Sequence, residues 1–307
     1  AAIHAYRAIA AGEGDLFLAG GVEHMTRGPW VISKTSTPFG RDAQMYDSSF
    51  GWRFVNPAMK DRFGTDAMGE TAENLADQYH LSREDQDAFA FRSQQRAEAA
   101  RLAGILAGEI APVHIPRRKQ EPLIVQEDEF PRADTTMEAL AALKPAFRKD
   151  GTVTAGNASG LNDGAAALLI ASEKACQDHA LTPLARIVSS GVAGVEPRIM
   201  GIGPVPASRL ALRRAGLDLD QMDLIEINEA FAAQVLACTR QLGLDDLDPR
   251  INPNRGAIAL GHPLGMTGAR ILLSAARELQ RRQGRYALVT MCIGVGQGYA
   301  TILERVS

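Results

Sequence analysis

The chain has 307 residues, of which 46% are hydrophobic, so it is long enough to bury a sizeable core and to form two domains or one large one. The formal net charge is −3 and no basic run exceeds 117–119, which excludes an obvious nucleic-acid or anionic-membrane partner, and no apolar stretch approaches the about 18 residues that cross a bilayer. Three widely spaced cysteines, Cys176, Cys238 and Cys292, argue against a disulfide framework and a zinc site, and fit a reducing, cytoplasmic compartment.

The first half of the chain alternates regular and irregular segments. Apolar residues at helical spacing over 3–10 predict an opening helix that Gly12 ends, and 15–19 is predicted to be a buried strand. Between 26 and 66, prolines, glycines and tryptophans interrupt any period, which predicts an excursion from the core. Ser82, with Asp85 three residues later, predicts the start of a helix that runs to about 103.

Regular alternation returns in the second half. After a proline-rich irregular stretch at 112–131, the apolar run between Gly164 and Ser172 is predicted to be a buried strand. The later predicted elements are strand 187–195, helix 208–215, strand 223–227, helix 229–241, helix 266–282, strand 286–293 and strand 298–306. This order predicts an α/β layered sheet. The opening helix and strand weakly resemble 276–296, which suggests two related halves.

Cys292 lies in the run CIGVGQG, directly after a predicted strand. Considered alone, a cysteine in this position is usually a small packed hydrophobe. Glycines at 294, 296 and 298 change that interpretation, because they let the backbone approach a ligand and leave N–H groups free to point into a pocket. A dinucleotide-binding loop is rejected, since its GxGxxG pattern opens a helix and the spacing here is GxGxG.

His262 and Asn228 are the other two candidate site residues. His262 stands in Gly-His-Pro before a predicted helix, which favours an exposed, fixed ring, although a satisfied core histidine is an equal alternative. Asn228 ends a predicted strand, so its side chain either caps the next helix or serves a site. A thiol, an imidazole and an amide in one pocket suit acyl transfer, and we expect them to converge with Cys292. Cys176 and Cys238 are predicted to be structural.

Five segments together resemble a thiolase, an acetyl-CoA C-acyltransferase, over the whole chain. They are AGGVEHM, TAGNASGLNDGAA, NEAFAAQ, GAIALGHPLGMTGARI and CIGVGQG, while GWRFVNP and ALGHPLGMTGAR are most similar to the β-ketoadipyl-CoA (3-oxoadipyl-CoA) thiolases of aromatic-acid catabolism. The resemblance implies a thiolase-like layered fold with two related α/β halves, of which the N-terminal one is incomplete. The implied domains are 1–24 with 161–183 as the N-terminal half, 25–160 as a loop domain that covers CoA, and 184–307 as the C-terminal half.

The resemblance also implies a reaction. A 3-oxoacyl-CoA is cleaved by CoA to acetyl-CoA and a shortened acyl-CoA, or formed by the reverse Claisen condensation, with CoA as a substrate and no metal or other cofactor. By motif match, Cys292 exchanges the α-proton of the acetyl group, which calls for a thiol pKa shifted towards working pH. His262 activates the nucleophile and, with a water held by Asn228, forms one oxyanion hole, and the Gly294 N–H contributes to a second.

Contacts with CoA follow from the same motif match. Ser159 would bond the pantetheine arm and Arg132 would face the nucleotide end. The residues that would line the channel are Met68, Phe147, Ala155, Met200, Ala230 and Phe231. Ordinary core packing is the alternative explanation for the apolar ones. The resemblance implies a homodimer or homotetramer, with no nucleic-acid or membrane partner.

Three departures qualify the match. The family's nucleophilic cysteine lies in a CGSG-like segment that would precede Ala1, so we expect the 307-residue chain to be an inactive fragment; a noncatalytic CoA-binding protein, or a subunit completed by a separate N-terminal piece, are the alternatives. Arg255 stands where the family usually has glycine, which would cost roughly 1–2 kcal/mol if that backbone has positive φ. Third, Ala67 and His24 replace residues that are common in some branches of the family, which weakens an exact substrate assignment. A β-ketoadipyl chain needs a cation for its distal carboxylate, and Arg53 and Arg198 are the candidates.

Overall fold

Two α/β regions flank a less regular segment in the computed structural model, which describes residues 1–49 and 51–306. The helices are α1 Ala2–Ala10, α2 Pro57–Phe63, α3 Met68–Gln78, α4 Arg83–Leu102, α5 Met137–Ala141, α6 Glu173–Asp178, α7 Pro204–Ala215, α8 Ala232–Leu242, α9 Ala257–Leu260 and α10 Leu264–Arg282. The strands are β1 Leu16–Glu23, β2 Trp30–Ile32, β3 Met45–Asp47, β4 Val113–Arg117, β5 Gln120–Val125, β6 Gly164–Ala171, β7 Ala185–Gly194, β8 Leu224–Ile227, β9 Tyr286–Ile293 and β10 Gln297–Arg305. The predicted α/β layered fold is confirmed.

A four-stranded sheet in the order β7-β10-β9-β8 organises the C-terminal region. Strands β8 and β9 run parallel with Ile227 opposite Thr290, and the other two pairings are antiparallel. Because parallel strands end at the same edge of a sheet, the residues that follow β8 emerge beside the end of β9. This edge therefore places Asn228 next to the strand that carries Cys292.

Side chains of β8 alternate between the two faces of the sheet. Ile225 and Ile227 join the main core with α3, α4, α7 and α8, whereas Leu224 packs against α10 on the opposite face. Since both faces are covered, the strand is buried along its whole length. Full burial of each such side chain contributes about 1.5–3 kcal/mol to stability.

Strands β1 and β6 form a separate antiparallel pair, which α1 and α10 cover on one face. The strands were predicted correctly, but the prediction that they are buried is wrong. Leu18 and its cross-strand partner Leu169 are 79% and 54% exposed on the other face. An apolar run does not reveal whether one or both faces of a strand are covered, so sequence periodicity could not settle this point.

The segment between the two regions holds helices where capping predicted them. The Ser82 Oγ accepts a hydrogen bond from the Asp85 N–H at 3.0 Å, and α4 ends before Gly104, as expected. The proline-rich stretch at 112–131, predicted to be irregular, contains the hairpin β4-β5; its register shifts at Pro116, where the ladder tolerates a residue without an N–H. None of the described helices is long and apolar enough to cross a bilayer.

Candidate active site

Asn228 is the first residue beyond β8, and it is buried. Its backbone N–H donates to the Thr290 carbonyl of β9 at 3.0 Å. The residues after it are not helical: the Ser159 N–H bonds the Ala230 carbonyl at 3.0 Å, and Phe231 is extended and bridges to Ala158. Helix α8 therefore begins only after Phe231, three residues later than predicted, and the capping role considered for Asn228 is wrong.

His262 lies against Asn228, with 3.2 Å between the imidazole Nε2 and the carboxamide Nδ2. The imidazole Nδ1 is 2.7 Å from the Thr267 Oγ1, and that hydroxyl donates its hydrogen to the Pro263 carbonyl at 2.8 Å. Since a hydroxyl has one hydrogen, Thr267 accepts from an Nδ1–H, which leaves the Nε2 lone pair to accept from Asn228. The ring is fixed as predicted, but it is buried rather than exposed.

Burial, together with the nearby Arg270 guanidinium, lowers the pKa of His262 to about 4. The same guanidinium donates to the carbonyl of Gly261, directly before the histidine, at 3.1 Å. At neutral pH the imidazole is therefore uncharged, and the lone pair on its Nε2 can accept a proton. The Oδ1 of Asn228 is buried and has no hydrogen-bond partner among the described residues, so it is available as an acceptor.

Cys292 is buried near the end of β9 in an apolar cluster. The cluster contains five of the residues predicted to line a channel, namely Met68, Phe147, Met200, Ala230 and Phe231. The rings of Phe147 and Phe231 meet edge to face with 6.1 Å between their centroids. Gly294 borders the same space, since a Cβ there would lie 4.0 Å from the sulfur of Met68. One apolar wall thus connects the thiol with the glycine-rich turn that follows it.

Burial raises the pKa of the Cys292 thiol to about 12. The expectation of a thiol pKa shifted towards working pH is wrong for this state of the site, because apolar surroundings disfavour the thiolate and no cation among the described residues offsets that effect. The sulfur is therefore protonated. In this form it can donate a proton rather than accept one.

The remaining predicted CoA residues lie around this cluster rather than in it. Ser159 is adjacent, since its neighbour Gly160 accepts a hydrogen bond from the His262 N–H at 3.2 Å. The Arg132 guanidinium lies 6.0 Å from the ring centroid of Phe130, and the Arg132 N–H donates to Gln94. Ala155 is exposed in a turn. The structure thus brings Ser159 to the site and leaves Arg132 and Ala155 outside the cluster.

Glu229 is a buried residue of the site that the motif analysis missed. Its Oε2 accepts from the Ser93 hydroxyl at 2.6 Å and from the Ile258 N–H at 3.2 Å, while its Oε1 accepts from Asn252 at 2.8 Å. These bonds fasten the residue after Asn228 to α4 and to α9, the helix that leads into His262. The sequence did hold a signal for Glu229, namely a charged residue close to the end of an apolar strand.

Arg255 does not carry the predicted backbone strain, since it is not among the residues with positive φ. Its buried guanidinium bonds the Glu109 carboxylate and the Ser274 hydroxyl, so its charge is compensated. The neighbouring glycine is the constrained position: a Cβ on Gly256 would lie 1.7 Å from Cδ of Glu229. Arginine at position 255, in place of the expected glycine, therefore adds an ion pair beside the site and does not strain the backbone.

No group of three or more His, Cys, Asp or Glu side chains in residues 1–49 and 51–306 is arranged to hold a metal ion. The three cysteines are free. Cys238 is buried and its thiol donates to the Gly201 carbonyl at 3.2 Å, while burial raises its pKa. It is therefore a packed structural thiol, as predicted.

A protonated thiol, a neutral imidazole and a buried carboxamide at one edge of an α/β sheet supply the groups that acyl transfer at carbon requires. The N-terminal domain model of the thiolases matches residues 1–174, and the C-terminal domain model matches 181–305. The chain belongs to the thiolase family of acyltransferases.

Several proteins of that family are close in sequence and structure. The chain is 61% identical to the 3-oxoadipyl-CoA/3-oxo-5,6-dehydrosuberyl-CoA thiolase of Escherichia coli and 57% identical to a β-ketoadipyl-CoA thiolase of Acinetobacter baylyi. Each match spans 302 residues, which is 98% of this chain and 75% of the relative. The crystal structure of human mitochondrial 3-ketoacyl-CoA thiolase in complex with CoA matches with a TM-score of 0.89 at 46% identity, over 99% of this chain and 74% of the human one.

Proposed function

We propose that the protein catalyses the CoA-dependent cleavage of 3-oxoadipyl-CoA to acetyl-CoA and a four-carbon acyl-CoA, or the reverse condensation. The observation that carries the proposal is the 3.2 Å contact between Asn228 and His262 at the sheet edge beside Cys292. The names and identities of the E. coli and A. baylyi relatives support this substrate over other 3-oxoacyl thioesters.

Each polar group has a role that its protonation state suits. The neutral His262 takes the proton of the attacking thiol at Nε2, and the resulting Nε2–H donates to the thioester oxyanion. A water bound to the free Oδ1 of Asn228 supplies the second donor of that hole. When the carbon–carbon bond breaks, the Cys292 thiol protonates the carbon of the departing enolate, and in condensation its thiolate takes that proton back. The Gly294 N–H serves a second oxyanion hole.

The apolar cluster around Cys292 is proposed to form the inner end of the CoA channel. Its members Met68, Phe147, Met200, Ala230 and Phe231 surround the thiol, and Ser159 borders them. We place the pantetheine arm at Ser159, the nucleotide end at Arg132, and Ala155 at the outer rim. In this scheme the loop domain 25–160 covers CoA between the halves 1–24 with 161–183 and 184–307. We further propose that the protein is a homodimer or homotetramer. Its free cysteines favour the cytoplasm, where thiols stay reduced.

The acyl group is carried by a further thiol in this reaction, and we assign that role to none of Cys176, Cys238 and Cys292. The test therefore separates the two halves of the chemistry. Exchange of the α-protons of acetyl-CoA in deuterated water reports the acid–base half, and thiolysis of 3-oxoadipyl-CoA reports the whole reaction. Thiolysis is measured in the 307-residue chain and in a longer form that carries a CGSG-type segment before Ala1.

We expect α-proton exchange in both forms, carried by the small fraction of Cys292 that is thiolate, and thiolysis in the longer form. Cys292→Ala should remove both activities, and Asn228→Ala should slow them by about 100-fold or more, as loss of an oxyanion donor does. Cys176→Ala is the matched control and should leave both unchanged. Binding of CoA without exchange in either form would contradict the proposal and would favour a noncatalytic CoA-binding protein.

A further inference from the structure

We infer that Arg198 binds the distal carboxylate of the acyl chain and thereby selects dicarboxylic 3-oxoacyl thioesters over chains that end in a methyl group. The inference rests on the proposed function, because it concerns the far end of the substrate whose thioester lies at Cys292. The sequence predicts Arg53 and Arg198 as candidates for this role, and the structure favours Arg198.

Arg198 and its partner Asp66 are held next to the apolar cluster by chain connectivity. Met200 and Met68, which pack around Cys292, each lie two residues beyond one member of this pair. Two extended residues span at most about 7 Å, so the Cα atoms of Arg198 and Asp66 lie within that distance of the Cα atoms of the two methionines, at the border of the cluster around Cys292. A chain that runs from the thioester past the two methionines would meet this guanidinium.

The Arg198 guanidinium is oriented by Asp66, while its two terminal nitrogens have no hydrogen-bond partner among the described residues. The Arg198 Nε donates to the Asp66 Oδ2 at 2.9 Å, and this is the only hydrogen bond of the side chain within the described part of the protein. Asp66 is itself fixed, because its Oδ2 accepts from Asn74 at 3.0 Å and its backbone carbonyl accepts from the Trp52 indole at 3.1 Å. The two terminal nitrogens of Arg198 thus form a preoriented fork that matches a carboxylate.

Arg148 and Arg53 are less suitable than Arg198 for binding the distal carboxylate. Arg148 has all three nitrogens engaged: Nε with Glu70 at 2.7 Å, Nη1 with Asp77 at 2.6 Å and Nη2 with Asn74. Arg53 bonds the Gly51 carbonyl and is not tied to the cluster around Cys292 by chain connectivity, since the cluster member nearest to it in sequence is Met68, 15 residues away. The Arg198 side chain is 55% exposed, so a ligand can reach it.

The test compares two thioesters that cannot be cleaved because they lack the 3-oxo group. Adipyl-CoA and hexanoyl-CoA have six-carbon chains and differ only in the distal carboxylate. Their dissociation constants are measured by calorimetry for the wild type, Arg198→Ala and Arg198→Lys. Arg186→Ala is the matched control, since it removes another exposed arginine that pairs with a carboxylate, Glu304, far from the cluster. Thermal melts verify that each variant is folded.

We expect the wild type to prefer adipyl-CoA, and Arg198→Ala to weaken adipyl-CoA binding by roughly 10- to 100-fold while hexanoyl-CoA binding is unchanged. Arg198→Lys should restore part of the preference, since it keeps the charge and loses the fork. Equal effects of Arg198→Ala on both thioesters, or none on either, would overturn the inference and leave the proposed function intact. Failure of the wild type to bind either thioester would overturn both.

Discussion

At the residue scale, the site depends on protonation states that burial imposes. The imidazole of His262 is held neutral and the thiol of Cys292 is held protonated, each because the charged form would lose its hydration. The Thr267 hydroxyl fixes which imidazole nitrogen carries the hydrogen. The motifs pointed to these residues, but they could not give the charge states, since those depend chiefly on how deeply the folded chain buries the imidazole and the thiol.

A buried neutral histidine predicts a definite pH dependence. Because the folded pKa of about 4 lies below the ordinary value of 6.5, the unfolded chain takes up a proton first as the pH falls. His262 should therefore reduce the free energy of unfolding between pH 6.5 and 4, by on the order of 3 kcal/mol in total. Denaturant unfolding of the wild type and His262→Asn across this range measures the difference.

The slope of stability against pH should be shallower in His262→Asn than in the wild type. His4→Asn, at an exposed position, serves as the control and should follow the wild type. Parallel curves for His262→Asn and the wild type would show that the ring is charged or solvated in the folded protein.

At the element scale, α10 and the segment before it join the site to the rest of the fold. Helix α10 packs on the four-stranded sheet and on the β1-β6 pair, and its Ser274 forms a polar cluster with Arg255 and Glu109. The sequence predicted α4, α10 and the later strands well, because capping residues and apolar periodicity are local signals. The start of α8 was missed because residues 230–232 pair with 157–159, a long-range pairing that keeps Phe231 extended.

The ion pair between Arg255 and Glu109 is expected to behave as a buried pair. Arg255→Met should lower the free energy of unfolding by about 3–5 kcal/mol, since it leaves the Glu109 carboxylate uncompensated. The double variant with Glu109→Gln should recover most of that loss. Chemical denaturation of the two single variants and the double variant gives the coupling energy, and additive losses would mean that the two side chains are independent.

At the scale of the whole molecule, the four-stranded sheet and the β1-β6 pair differ in how they are covered. The sheet that ends in Asn228 and carries Cys292 is covered on both faces, and this explains how a carboxamide and a thiol come to be buried. The β1-β6 pair is covered on one face only within the described residues, so Leu18 is exposed. Sequence motifs identified the family and the fold class, but coverage of a strand depends on distant packing.

The exposure of Leu18 can be tested by mutation. Leu18→Thr should change the free energy of unfolding by less than about 0.5 kcal/mol, as surface substitutions do. Leu75→Ala, in the main core, should cost about 2–5 kcal/mol and is the positive control. A loss for Leu18→Thr close to that of Leu75→Ala would show that this face is covered in solution.

The convergence of the Cys292 thiol, the His262 imidazole and the Asn228 carboxamide on one thioester is tested most directly by a crystal structure of the chain with bound acetyl-CoA. We predict that the thioester oxygen lies within hydrogen-bond distance of the His262 Nε2 or of a water on Asn228, with the acetyl methyl against the Cys292 sulfur and the pantetheine arm at Ser159. A thioester bound away from any of these three groups would contradict the account.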